Sequence, residues 1–329
     1  MRRREFLTLV GGAAGWPLVA HAQQAARMRR VGVLMHSDES DPQAKAEFPE
    51  FVQALRALGW VDGQTMRMDV RWSEANEDRA RTFSTELIGL APDAILSSTT
   101  GNLIALVRQA PTIPIVFVRV SDPVAQGFVS NLARPGGNIT GFESYEYSMG
   151  GKWIDLIRQV VPDLTHVAII FNPASAPQIK FLLDSIKSAA ASLGVEVTVA
   201  PVHDPEGLAS AIETVSLRPH GAGVFAPDPF LQSHRQLAAE LAARHRLPAM
   251  SYDPYFPKVG GLMSYGPETD TMFRQAAVYI DRILKGAKPS DLPVQTPTKF
   301  ELVINVKAAK ALGIEVPTNL LLTADDFIE

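Results

Sequence analysis

Residues 112–142 read TIPIVFVRVSDPVAQGFVSNLARPGGNITGF. Ile115–Val118 is a short unbroken apolar run, the pattern of a strand buried on both faces of a parallel sheet. Polar groups follow at Arg119–Val120–Ser121–Asp122–Pro123, where the carboxyl end of that strand falls. In open α/β sheets, ligands sit just outside that end. Arg134–Pro135–Gly136–Gly137–Asn138 is a turn cluster, and a second apolar segment, Ile139–Phe142, leads out of the sheet. The stretch reads as the last strands of one α/β lobe, the mouth of a cleft, and a first crossing into a second lobe.

Upstream of it the same units recur. Val31–Met35 is a buried strand ending at His36–Ser37–Asp38, and Asp41–Pro42 is a helix start with a cap residue followed by Pro. Phe48, Phe51, Val52, Leu55 and Leu58 share one helical face up to Gly59, with Pro49 interrupting the pattern. Met66, Met68, Val70 and Trp72 alternate with Arg67, Asp69 and Arg71, the mark of an edge strand with one wet face. A helix over 78–90, a strand at Ala94–Ser97 and a helix through Gln109 complete a β-α-β-α-β-α-β series. Downstream the series repeats: a helix over 151–161, a strand at Val167–Phe171, a helix opened by Asn172–Pro173–Ala174–Ser175–Ala176, and an alternating strand at Val195–Val199. A helix over 205–217, a strand at Gly223–Ala226, a helix started by Asp228–Pro229 and a strand at Leu247–Met250 follow. In both halves the second strand is the alternating one, as strand order 2-1-3-4-5 requires.

The expected architecture is therefore α/β, with two doubly wound parallel-sheet lobes joined by three hinge crossovers. With 329 residues, two cores are the prior. Residues 28–143 plus 252–288 are assigned to the N-terminal lobe and 144–251 plus 289–329 to the C-terminal lobe. The return crossing is placed near Tyr252–Pro257 and the last near Pro289–Pro297. Gly261–Tyr265 and Phe300–Asn305 read as strands, 267–285 and 306–312 as helices, and Asp325–Asp326 as a solvated helix end.

Composition narrows the function. A net charge of −4 disfavours nucleic-acid binding, which needs clustered Lys and Arg. There are no cysteines, so disulfide and thiolate chemistry are out. No H-E-x-x-H, G-x-S-x-G, G-x-x-x-x-G-K-[ST] or strand-linked G-x-G-x-x-G is present, so catalysis, a metal and a cofactor are not expected. Residues 1–22 read as a cleaved export signal: a basic start, an apolar stretch from Phe6 to Ala20, and an Ala20–His21–Ala22 cleavage site. Arg3–Arg4–Glu5–Phe6–Leu7 matches the twin-arginine pattern, with the ordinary secretory route as the alternative. No later segment is apolar for long enough to span a bilayer. The exported chain is expected in the periplasm, as a monomer without stable membrane insertion.

The leader, TIPIVF, SDPV, LARPGGNITG, Asn172–Pro173 and the final ADDFIE together resemble the tryptophan/tyrosine-type substrate-binding proteins of ABC transporters. That resemblance implies a type I periplasmic-binding-protein fold, a cognate permease and ATPase as partners, and a small ligand, possibly an aromatic amino acid, between the lobes. The main expectation is thus an exported solute-binding component of an ABC importer that closes around a small carboxylate-bearing ligand. Alternatives are a periplasmic sensing module for a receptor, against which an adjacent permease and ATPase gene pair would count, and a secreted α/β hydrolase, which needs a Ser–His–acid cluster in the cleft.

Candidate ligand-binding residues come from strand ends. Ser98, Thr99 and Thr100 lie between a strand and a helix, where hydroxyls and the first helical N–H groups hold an anion or merely cap the helix. Ser175 and Ala176, after Asn172, occupy the equivalent place in the second lobe. Asp122 and Asp228 each follow a strand and precede Pro. They could receive an amino group, or fix a turn and cap a helix, respectively. Among the aromatic residues near crossings (Tyr145, Tyr147, Phe230, Tyr252, Tyr255 and Tyr265), Tyr252 is preferred because it follows a strand. His36 and Ser37 end the first strand and complete the set.

Overall fold

The computed structural model describes residues 28–109, 112–145 and 147–329. The expected leader, with Arg3–Arg4 and the Ala20–His21–Ala22 site, lies outside the described residues. Strands β1 (Arg29–Met35), β2 (Met66–Trp72), β3 (Ala94–Ser98), β4 (Ile115–Val120) and β5 (Ile139–Glu143) form a parallel sheet in the order β2-β1-β3-β4-β5. Helices α1 (Pro42–Ala57), α2 (Glu77–Gly89) and α3 (Thr100–Val107) alternate with them. Asp41 caps α1 by accepting the Gln43 and Ala44 amide hydrogens, and the helix runs on through Pro49.

The second half contributes α4 (Gly150–Val160), β6 (His166–Phe171), α5 (Ile179–Ser192), β7 (Glu196–Pro201), α6 (Pro205–Ser216) and β8 (Gly221–Phe225). It continues with α7 (Pro229–Ser233), α8 (Arg235–Arg244), β9 (Ala249–Ser251), α9 (Tyr255–Lys258) and β10 (Met263–Pro267). Next come α10 (Asp270–Leu284), β11 (Phe300–Asn305), α11 (Val306–Leu312), α12 (Thr318–Thr323) and β12 (Asp326–Ile328). Its sheet has the order β12-β11-β10-β9-β8-β6-β7. β2 lies at one edge of the first sheet and β7 at one edge of the second, where their alternating sequences put them.

Each sheet is covered on both faces. In the first lobe, α1 and α10 bring Phe51, Leu55, Phe273 and Ile280 against Val31, Val33, Leu96 and Val118. On the other face Leu87, Leu103 and Leu106 of α2 and α3 meet Leu34, Ile95 and Phe117. Two further apolar cores flank the second sheet. Alternation along β4 slips at Arg119. Ile115 and Phe117 face α2 and α3, and so does Val120, three residues after Phe117 where strict alternation would put Arg119. The register shift with β5 between Val118 and Val120 marks the bulge responsible. Gly141 is required beside it, because a Cβ there would stand 2.1 Å from the Phe117 carbonyl oxygen.

Four expectations are corrected. The return crossing is not at Tyr252–Pro257: β10 stays in the second sheet, parallel to β9 and antiparallel to β11, and the chain crosses only after Pro267. It reaches the first lobe with α10, as expected, and Val294 is still in the first lobe's core, so the last crossing falls within the segment before β11. The 172–178 segment is a turn and α5 starts only at Ile179, in line with the bias of a proline, here Pro177, against helix at the residue before it. Asp228–Pro229 starts a five-residue helix, and a break at His234 separates it from α8. The C-terminal Asp325–Asp326 is no helix end. The Asp325 carboxylate accepts the Leu302 amide hydrogen at 2.8 Å, and β12 extends the sheet beyond β11. Among the described residues no helix is long and apolar enough to cross a membrane.

Candidate functional site

The carboxyl ends of strands from both sheets converge on a cavity of about 30 Å³ between the lobes. Thr99, Thr100, Gly101, Arg119 and Ser121 line it from the first lobe. Ser175, Gln178, Pro227, Asp228, Pro229, Gln232 and Tyr252 line it from the second, and Ser144 and Tyr145 line it from the first crossing. That volume has room for only a few waters, so a ligand of amino-acid size needs the lobes to part further. A second cavity of similar size adjoins it, shares Thr99, Gly101, Ser175 and Pro229, and reaches His36, Ser73, Asn76 and Asn102.

Arg119 is the central cation. Its backbone sits at φ 59°, in the left-handed region, because it is the extra residue of the β4 bulge. Its Nη1 lies 3.2 Å from Glu47 Oε2 and 3.3 Å from Oε1. Glu47 also accepts a hydrogen bond from Gln43 at 2.8 Å. Burial opposes the Arg119 charge, but Glu47, then Tyr252, Asp253 and Asp41, outweigh it and raise its pKa. The guanidinium therefore stays charged, with one edge on Glu47 and N–H groups left for the cavity.

Thr99 has φ 70° and ψ 160° and precedes α3, yet its side chain makes no capping hydrogen bond. Helix capping thus does not account for its hydroxyl. The Thr100 hydroxyl accepts the Ser121 amide hydrogen at 3.3 Å, which ties α3 to the end of β4.

Asp228 is almost wholly buried. Its carboxylate accepts the Asn172 amide hydrogen at 2.6 Å, the Phe230 amide hydrogen at 2.9 Å and the Ser175 hydroxyl in a short bond. Burial pushes its pKa up to about 6, against the pull of the Ser175 hydroxyl and the Asn172, Phe230 and Leu231 amides. It caps α7, pins the turn after β6 and lines the cavity.

His36 spans the lobes. Its amide hydrogen is donated to Ser98 Oγ at 2.9 Å, its Nδ1 lies 3.1 Å from the same oxygen, and its Nε2 lies 3.1 Å from Gln232 Oε1. Burial, then the positive charge of Arg119, holds its pKa well below the usual value, so the ring is neutral. Arg235 spans them too, with Nη1 2.8 Å from Asp41 Oδ2, Nη2 3.3 Å from Gln43 Oε1 and Nε 2.5 Å from Asp253 Oδ2.

Of the residues chosen from sequence, Thr99, Thr100, Ser175, Asp228 and Tyr252 line the first cavity and His36 the second. The others do not. Ser98 sits behind His36 as its hydrogen-bond partner, and Ser37 is buried off both cavities. Asp122 is turned into its own loop, where it accepts the Ala125 amide hydrogen at 3.0 Å. Asn172 Oδ1 accepts the Ala174 amide hydrogen, which shapes the turn. Ala176 is packed in the core of the second lobe.

Arg119, Ser121, Ser144, Gln178 and Gln232 were not singled out from sequence. Gln178 lies in the turn before α5 and Gln232 inside α7, with no local signal at either. Arg119 carries one, a charge ending an otherwise apolar strand. Among the described residues no cluster of His, Asp or Glu could hold a metal ion.

The family model described as "ABC transporter substrate binding protein" matches residues 39–328. The chain is 24% identical over 266 residues to a "Tyrosine-binding protein" of Clostridioides difficile (strain R20291), covering 80% of this chain and 76% of that one. A conserved domain protein from Vibrio cholerae has a similar structure, with TM-score 0.83, 26% identity, and coverage of 92% of this chain and 100% of that one. So has an ABC domain in complex with L-Trp from Streptococcus pneumoniae, with TM-score 0.82, 23% identity, and coverage of 91% and 99%.

Proposed function

Since the chain belongs to the ABC transporter substrate-binding protein family, we propose that it is the exported binding component of an importer and holds a small carboxylate-bearing ligand between its lobes. An amino acid is the leading candidate, with an organic acid next. The relatives named for tyrosine and bound to L-Trp make aromatic amino acids the first to test. The ligand carboxylate meets Arg119, the Thr99 and Thr100 hydroxyls and the first N–H groups of α3. An α-ammonium meets Asp228, whose ionised form it stabilises. Tyr252, held by its hydrogen bond to Ser144, forms one wall. Nothing in this scheme makes or breaks a covalent bond.

The observation that carries the reading is Arg119, a buried arginine bulged out of strand phase into an inter-lobe cavity with N–H groups to spare. Ligand binding favours the closed arrangement by its differential affinity for closed over open, and a cognate permease and ATPase would read that state. The protein acts in the periplasm as a monomer after removal of residues 1–22. A thermal-shift screen of amino acids and of aromatic and aliphatic acids tests it: a ligand at about 100 times its Kd adds about 2.7 kcal/mol of stability. Arg119→Lys keeps the charge beside Glu47 but loses the planar fork, and is expected to abolish the shift. A full-sized shift in Arg119→Lys, or no shift from any carboxylate, refutes the assignment.

A further inference from the structure

A cavity of about 280 Å³ lies at the hinge, outside the cleft. All three crossings line it: Glu143 from the first, Glu268 from the second, Gln295 and Lys299 from the third. Its position follows from the sheets. On one side β5 pairs with β4, whose end lines the cleft; on the other, Phe142 bridges to Gln295. In the second sheet β8 and β9 lead to the cleft, whereas the cavity meets the end of β10 and the start of β11, further out. The first crossing runs between the two spaces, with Ser144 and Tyr145 on the cleft and Phe142 and Glu143 on the hinge cavity.

The walls belong to different lobes. Thr271 and Gln275 stand on α10, which packs on the first sheet, while Glu268 and Lys299 adjoin β10 and β11 of the second. The third crossing shows where these walls move. The Gln295 amide hydrogen is donated to the Gly141 carbonyl at 2.9 Å, and the Gln295 carbonyl accepts the Glu143 amide hydrogen at 2.8 Å, which ties Gln295 to β5. The Lys299 carbonyl accepts the Glu268 amide hydrogen at 3.2 Å, on the side of the second lobe. Thr296, Pro297 and Thr298 between them make no backbone hydrogen bond with the described residues. The bend of this crossing therefore falls along the cavity wall.

Groups on the far side of a hinge converge as those on the near side part. We propose that this cavity is the space into which the hinge folds when the cleft opens, so that its free volume sets how readily the lobes part. Bulk placed in it obstructs the open form, because packed groups resist compression, and leaves the closed form intact. The inference rests on the lobe motion of the binding reading and not on the identity of the ligand.

The chain has no cysteine, so a single introduced thiol reports opening. Thr99→Cys places it in the cleft, where the threonine side chain makes no capping bond that the change would remove. A bulky maleimide reaches that thiol only when the lobes part, since the closed cleft has about 30 Å³ of space. The rate of its reaction, with no ligand present, is compared in Thr99→Cys alone and with Thr271→Trp or Gln275→Trp added. The two positions are one turn apart on α10 and both line the cavity. Gln275 is exposed, which makes its replacement the milder one for the fold. At least one tryptophan is expected to slow the reaction by on the order of tenfold, with an unchanged rate in urea and a cooperative thermal transition retained. An unchanged or faster reaction in both folded variants overturns the inference. It leaves the binding reading standing, because no ligand enters the assay; a ligand screen without a hit would sink that reading and not alter these rates.

Discussion

Three residues around the cleft, Thr99, Arg119 and Asp122, have positive φ without being glycine. Such conformations cost about 1–3 kcal/mol each and persist where the surroundings over-determine them. At Thr99 and Arg119 the strain frees a polar side chain for the cavity, whereas at Asp122 it serves a turn. Asp228 makes a pH-dependent prediction. Its carboxyl is raised from 3.8 to about 6, so its contribution to the stability of the unliganded protein is fully present below 3.8 and is lost as pH rises through 6. An ammonium-bearing ligand needs the ionised form, so its affinity moves the other way. Calorimetry at pH 5 is expected to give binding roughly tenfold weaker than at pH 7.5, because one unit below the pKa about nine in ten carboxyls are protonated. A flat profile between these values argues against contact between Asp228 and the ammonium.

The β4–β5 pair shows how a local irregularity builds the site. A regular β4 would have pointed Arg119 at the apolar helices α2 and α3. The bulge hands that place to Val120 and turns Arg119 toward Glu47 on α1. Gly141 lets β5 lie close enough to accommodate the distortion. Gly141→Ala is therefore expected to destabilise the protein by about 2 kcal/mol or more, since its Cβ would meet backbone and not a flexible side-chain tip. Chemical denaturation measures this, and an unchanged midpoint would mean that β5 can shift without cost. The edge strands β2 and β7 need no such device: their alternating sequences suit a half-buried surface.

The two lobes also touch directly through polar groups. His36 reaches Gln232, and Arg235 joins Asp41 and Gln43 to Asp253. Parting the lobes would separate the Arg235 guanidinium from the Asp41 carboxylate, so the contact favours closure. Asp41→Asn isolates this effect, because asparagine caps α1 as well as aspartate does. The variant is expected to keep its thermal midpoint within a few degrees, to have a larger radius of gyration without ligand in small-angle scattering, and to bind on the order of tenfold more weakly, as affinity scales with the closed fraction. An identical scattering curve would show that the pair does not set the equilibrium. The hinge itself comes from the chain path. It leaves the first lobe after β5, returns as α10 and leaves again before β11, so three strands of backbone must bend together.

The order of the sheets, their edge strands and the general position of the cleft were legible from residue order alone. Apolar runs and alternation report burial, and burial in a parallel sheet depends on a strand's neighbours in ways that leave a local imprint. Thr99, Thr100, Ser175, Asp228 and Tyr252 were reachable for the same reason: strand ends can be read, and ligands gather there. The position of β10, the strand at the C-terminus, the bulge that redirects Arg119 and the placement of Gln178 and Gln232 on the cavity were not reachable in this way. Met263–Pro267 reads as a strand but carries no mark of which sheet it joins, since either lobe would bury it equally well. A bulge reverses which way a side chain points without altering composition, and whether a hydroxyl or amide lacks a partner depends on groups far away in the chain. Local physics set out the two layered sheets, but only the meeting of distant segments settled which polar atoms face one another across the gap.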